Sequence, residues 1–202
     1  MTADEPRRLA IAGHEGDEHT ARAAMTSADP RARRLALGAL GRMRALTDGD
    51  VRGAFADPDP RVRHRAAMLA ATRPAVSLLA VLDDADPMVV EAAAWATGEQ
   101  QTIDDDVLTR LCALATHAHD PLVREAAVAA LGAIGDDRGL PAILTGCDDK
   151  PNIRRRAVLA LAPFSGPAVD AALAAALIDR DWQVRQAAED LMPHTSDPSP
   201  DS

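Results

Sequence analysis

The chain has 202 residues with two Phe, two Trp and no Tyr, so it lacks the aromatic mass that usually anchors a compact core or a sheet. A formal net charge of −9 weighs against adhesion to nucleic acid or acidic membranes through overall charge, and no apolar run reaches membrane-spanning length, since Ala168–Ile178 is interrupted by Asp170. The distant Cys112 and Cys147 form no disulfide framework and the acidic Met1–Glu5 start has no signal-peptide pattern, so the expectation is a cytoplasmic protein.

From the N-terminus, Arg7-Arg8-Leu9-Ala10 echoes Arg33-Arg34-Leu35-Ala36 and reads as a half-repeat. An amphipathic segment at about 17–27 precedes Asp29-Pro30, and the same order recurs down the chain. Segments 48–56, 74–82, 104–116, 138–146 and 166–178 precede Asp59-Pro60, Asp86-Pro87, Asp120-Pro121, Lys150-Pro151 and Asp181-Trp182. Asp-Pro is a helix start: the carboxylate caps free backbone N–H groups, and Pro at the first helical position loses no hydrogen bond. Two residues after each landmark stands an apolar side chain (Ala32, Val62, Val89, Val123, Ile153, Val184) and six after it an Ala (Ala36, Ala66, Ala93, Ala127, Ala157, Ala188). Three after it comes Arg33, Arg63, Arg124, Arg154 or Arg185, with Val90 the exception. This spacing puts one buried stripe on each helix. Gly41, Gly98 and Gly132 mark a helix end or a close helix contact.

The prediction is an all-α superhelix of about six helix pairs, in units of about 5–43, 44–73, 74–100, 101–135, 136–164 and 165–195, with a disordered tail at 196–202. Residues 120–135, Asp-Pro-Leu-Val-Arg-Glu-Ala-Ala-Val-Ala-Ala-Leu-Gly-Ala-Ile-Gly, resemble a HEAT repeat of the bilin-lyase-like kind. Similar strings begin at Asp29, Asp59, Asp86 and Asp181. The resemblance implies a right-handed solenoid and a ladder of ion pairs linking adjacent repeats through Asp29, Asp59, Asp120, Arg33, Arg63 and Arg124. Val90 breaks that ladder in the third unit and Lys150 weakens it in the fifth. The pattern specifies a fold and leaves chemistry open.

An enzyme reading finds little support. HEAT-type hydroxylases bind iron through His-Glu pairs in several units, whereas this chain has the single pair His14-Glu15, close to Asp17, Glu18 and His19 in an acidic turn. Cys112, His117, His119 and Cys147 lack paired zinc-ligand spacing, and both cysteines fall on inner stripes, where core is expected. No nucleophile elbow or phosphate-binding glycine loop occurs. A bilin lyase or enzyme-accessory subunit follows only from family association. Neither cofactor, metal nor catalytic residue is expected.

The second helix of each pair should line the concave side of a solenoid. Over thirteen residues after each landmark, basic residues outnumber acidic ones thirteen to five in a chain that is acidic overall. Setting aside the ladder arginines, the outward positions present Arg31, Arg34 and Arg42, then Arg61, His64, Arg65 and Met68, then Met88, Glu91, Trp95 and Glu99, and later Arg155 and Arg156. A Trp opposite the core is a usual interface anchor, although a one-residue error of helical phase would put Trp95 in the core. The predicted partner is a protein whose acidic segment meets Arg31, Arg34, Arg61, His64, Arg65, Met68, Met88, Glu91, Trp95, Arg155 and Arg156 on a monomer or weak oligomer. The alternative is a phosphate-backbone binder similar in architecture to the HEAT-like DNA glycosylases, without their clustered Trp and catalytic Asp.

Overall fold

The computed structural model describes residues 17–100 and 102–192. The half-repeat at Arg7–Ala10, the His14-Glu15 pair and the tail at 196–202 lie outside these. Among the described residues are eleven α-helices and no strand. They are α1 (Glu18–Ala24), α2 (Pro30–Arg42), α3 (Asp48–Ala54), α4 (Pro60–Ala70), α5 (Pro87–Glu99), α6 (Asp105–His117), α7 (Pro121–Ile134), α8 (Leu140–Gly146), α9 (Pro151–Ala160), α10 (Pro167–Ala176) and α11 (Trp182–Leu191).

The helix starts follow from the Asp-Pro pairs. Asp29, Asp59, Asp86, Asp120 and Asp181 each accept the backbone N–H two residues on, at 2.8–3.0 Å. Lys150 supplies no side-chain cap to α9. The Ala six residues into every landmark helix is fully buried in all six units, and the apolar residue at the second position is at most 6% exposed. The helical phase read from the sequence therefore holds in every repeat.

Landmark helices α2, α4, α5, α7, α9 and α11 pack successively on one another along the whole molecule, while among the outer helices α6 and α8 make the one substantial neighbour contact. The landmark helices thus form the more closely packed row, the inner row of the expected superhelix. Small residues permit that approach. A β-carbon on Gly132 of α7 would lie 2.6 Å from Ala160 Cβ and 2.7 Å from its Cα on α9, closer than atoms can pack.

One expected helix is absent. Segment 74–82 forms turns ending in a single 3₁₀ turn, Val81–Asp83, so the third unit is a lone helix and the pairs among the described residues number five. The step from Pro60 to Pro87 is the shortest of all, 27 residues, and Pro74 disfavours helix at the residue before it. Val76, Leu78, Val81 and Leu82 remain buried, and the Gln100 amide donates to the carbonyls of Ala70, Arg73 and Val76. The core is filled without the helix.

Candidate functional site

The arginines three residues after each landmark form a ladder, through other acids than the resemblance implied. Arg33 grips Asp57, Arg63 grips Asp84, Arg124 grips Asp149 and Arg154 grips Asp179, each with Nε on one oxygen and Nη2 on the other at 2.6–2.9 Å. Nη1 of each also donates to a carbonyl in the loop before its own helix, so one guanidinium fastens two successive loops. Asp29, Asp59 and Asp120 are caps and not rungs. The Arg charge, through its hydrogen bonds, holds Asp57, Asp84, Asp149 and Asp179 below the ordinary carboxylate value, against the opposing effect of burial. Where Val90 replaces Arg, the acid is missing as well: Ala118 stands three residues before Pro121, where Asp57 and Asp84 precede theirs. The rung is lost on both sides and leaves no orphaned charge. Lys150 costs its helix a cap and leaves the Arg154–Asp179 rung intact.

These rungs, with the Arg73–Asp48 pair at 2.7 Å, remove several arginines from the inventory of free charge. The candidate cations differ in the same respect. Arg61 closes back on its own cap Asp59 at 2.7 Å, drawing that carboxyl down to about 2. Arg156 faces Glu125 at 3.7 Å. Among the described residues no carboxylate lies within 4.0 Å of Arg31, Arg34, Arg42, Arg65 or Arg155.

Six of the sequence-predicted residues come together. Arg34, Arg61, His64, Arg65, Met68 and Met88 line a hollow of about 420 Å³ with Pro60 and Asp86, between α2, α4 and the start of α5. Arg65, one of the lining residues, reaches over Gly38 of α2, where an added β-carbon would sit 3.1 Å from Arg65 Nη2 and 3.6 Å from Arg42 Nη1. Arg65 is half-buried there, and burial, followed by the charges of Arg42 and Arg34, lowers its hold on its proton. Met88 is 53% and Trp95 41% exposed, two turns apart on one side of α5. Trp95 is a surface residue, which settles its helical phase.

The remaining candidates stand apart from this hollow. Glu91 is half-buried on α5 and Arg31 is exposed at the start of α2. Arg155 lines a shallow recess of about 130 Å³ beside Trp182, Leu159 and Gln186 at the far end. A larger hollow of about 470 Å³, between α9 and α10, is lined by the satisfied pair Arg154–Asp179 and by Cys147. Both cysteines are half-buried against the core, less deeply than expected; burial raises the Cys112 thiol and pushes Cys147 up to about 11, which keeps both as thiols at neutral pH. Among the described residues no group of three or more His, Cys, Asp or Glu could hold a metal ion. The sequence reading missed Leu122, 37% exposed one helix beyond Met88 at the equivalent position, and underrated Arg42. The repeat alignment itself carried the signal for both.

Comparison with known proteins agrees with this architecture. The pattern of HEAT repeats matches residues 48–132, 75–151 and 111–192, so the chain belongs to the HEAT-repeat proteins; the match does not extend to the bilin-lyase-like kind. No curated protein matches. Among solved structures, an engineered protein is similar at 18% identity over 87% of this chain and 96% of that one, with a TM-score of 0.60. Looser likenesses are a designed armadillo repeat protein in complex with a (KR)4 peptide (16% identity, 92% and 89% covered, TM-score 0.48) and human deoxyhypusine hydroxylase in complex with glycerol (19%, 92% and 86%, 0.37). At such identities the likeness is one of fold.

Proposed function

We propose that this protein is a non-catalytic scaffold of the cytoplasm that holds a protein partner along the inner helix row, with an acidic segment of the partner at the α2–α4 end. The observation that carries this reading is the hollow itself: it brings Arg34 and Arg65, with no carboxylate partner among the described residues, together with Met68 and Met88, and Trp95 is exposed two turns beyond Met88. Such a surface suits a segment that alternates carboxylates with apolar anchors. A repeat solenoid provides the extended face such recognition needs. A nucleic-acid backbone demands a continuous track of positive charge. Here Glu91, Glu99 and Glu125 interrupt the row, and four of the five candidate arginines without a carboxylate among the described residues, all but Arg155, lie at one end, which favours protein.

The test is capture of the intact protein's partners from its native cell, with and without nuclease, beside a Trp95→Ala variant. Proteins retained after nuclease and lost with Trp95→Ala support the scaffold. Loss of every partner on nuclease treatment would overturn it in favour of nucleic acid.

A further inference from the structure

Two junctions of the inner row carry an Arg at the fifth position after the landmark. They are α2–α4, with Arg65, and α7–α9, with Arg156. In the second junction, the residue four after the landmark of the preceding helix is Glu125, whose carboxylate takes a hydrogen bond from Asn152 at 2.6 Å and faces Arg156 Nε at 3.7 Å. In the first junction the residue equivalent to Glu125 is Arg34, and the residue equivalent to Asn152 is Arg61. Where one junction has an acid, the other has a third positive charge.

A half-buried Arg among like charges loses hydration without gaining a partner, which is unfavourable unless an anion arrives. Gly38 matters for the same reason. Its missing side chain lets the Arg65 guanidinium lie against the helix backbone with Arg42 Nη1 beside it, where the later junction has Ala129 at the equivalent position. The hollow then continues from this cationic end toward Met68 and Met88.

We infer that the space between Arg34, Arg42 and Arg65 is a seat for a carboxylate side chain of the bound protein segment, filling the place that Glu125 fills at the α7–α9 junction, with a neighbouring apolar side chain of the segment between Met68 and Met88. This rests on the scaffold reading and refines it. A carboxylate, rather than a phosphoryl group, is the occupant because the equivalent junction is built around one. Three guanidinium groups exceed the charge of a single carboxylate, so the segment carries two adjacent acids.

The experiment uses the full chain and a fluorescein-labelled twelve-residue peptide with a Glu-Glu pair, a Leu three residues after it and neutral residues elsewhere. Fluorescence anisotropy at low salt should show saturable binding that weakens at least tenfold when Gln-Gln replaces Glu-Glu. Arg34→Glu should weaken binding at least tenfold without lowering the melting temperature, because it recreates the Glu–Arg arrangement of the other junction. Arg155→Glu, the repeat equivalent of Arg34 at the far end, should leave binding within twofold. Equal binding of the Glu and Gln peptides, unchanged binding to Arg34→Glu, or a lowered melting temperature in that variant would overturn the seat. A phosphoserine peptide binding more than tenfold tighter than the Glu-Glu peptide would overturn the choice of carboxylate. None of these outcomes removes nuclease-resistant partners, whose loss would instead strike the scaffold reading.

Discussion

The junctions α2–α4 and α7–α9 are built from the same repeat, and they differ in what they leave open. At α7–α9, Gly132 lies hard against Ala160 and the polar surface is closed by Glu125, Asn152 and Arg156. At α2–α4 the equivalent glycine, Gly41, faces only the tip of Leu69, Arg65 and Arg42 lie over Gly38, and Arg34 adds its charge to theirs with no carboxylate partner among the described residues. Both keep the same half-buried rung, Arg124–Asp149 in one and Arg33–Asp57 in the other. The repeat therefore separates two tasks: buried positions and rungs hold the stack, and the outward positions of each unit are free to vary.

The largest difference should come from the glycines. Gly132→Val forces a side chain into the backbone of α9 and should cost about 3 kcal/mol in urea unfolding. Gly41→Ala meets a movable Leu69 methyl and gains helix propensity, so it should stay within about 0.5 kcal/mol. Equal effects would show that the two junctions are packed alike.

Next come the rungs. Arg124→Gln should cost about 2 kcal/mol at neutral pH, less than a fully buried pair because Arg124 and Asp149 keep side-chain exposures of 14% and 22%. Asp149 is held below its ordinary value of 3.8 in the folded protein, so its contribution is present above that pH and fades as the pH falls below it. The gap between wild type and Arg124→Gln, followed by chemical unfolding from pH 7 to pH 3, should narrow. A gap constant with pH would mean that the rung does not act through charge.

A smaller effect tests the polar exchange. Glu125→Arg converts the later junction into the charge pattern of the first. It should cost about 0.5–1 kcal/mol, as exposed pairs do, and that cost should shrink in high salt. The smallest signal is optical. With Trp182→Phe, emission from Trp95 should be red-shifted and readily quenched by iodide, since Trp95 is 41% exposed on the row that carries the arginines. A blue, unquenchable emission would bury Trp95 and remove the apolar anchor beyond Met88.

Much of this was legible in the sequence, for particular reasons. The Ala at the sixth position fixed the buried stripe, because nothing larger allows successive helices to approach so closely. The Asp-Pro pairs fixed the starts. The lone helix of the third unit was hidden because Val76, Leu78, Val81 and Leu82 have the apolar content of a helix while Pro74 and a short unit deny them its geometry. The ladder partners were misplaced because an acid two or three residues before the landmark and one immediately before it look alike in a string. Only the fold reveals that one caps and the other bridges. Pairing on the outward face was beyond the sequence, since Arg61 and Arg65 read identically until Asp59 is seen to hold the first.

The central claim is that the arginines at the α2–α4 junction await a carboxylate. Its most direct measurement follows the side-chain Nε–H resonances of the arginines by NMR as the Glu-Glu peptide is added, with Arg65 assigned by its disappearance in Arg65→Lys. The account predicts that Arg65, together with Arg34 or Arg42, shifts and gains protection from solvent exchange, while Arg124, already gripped by Asp149, stays still. Saturable binding that leaves Arg65 unmoved would contradict it.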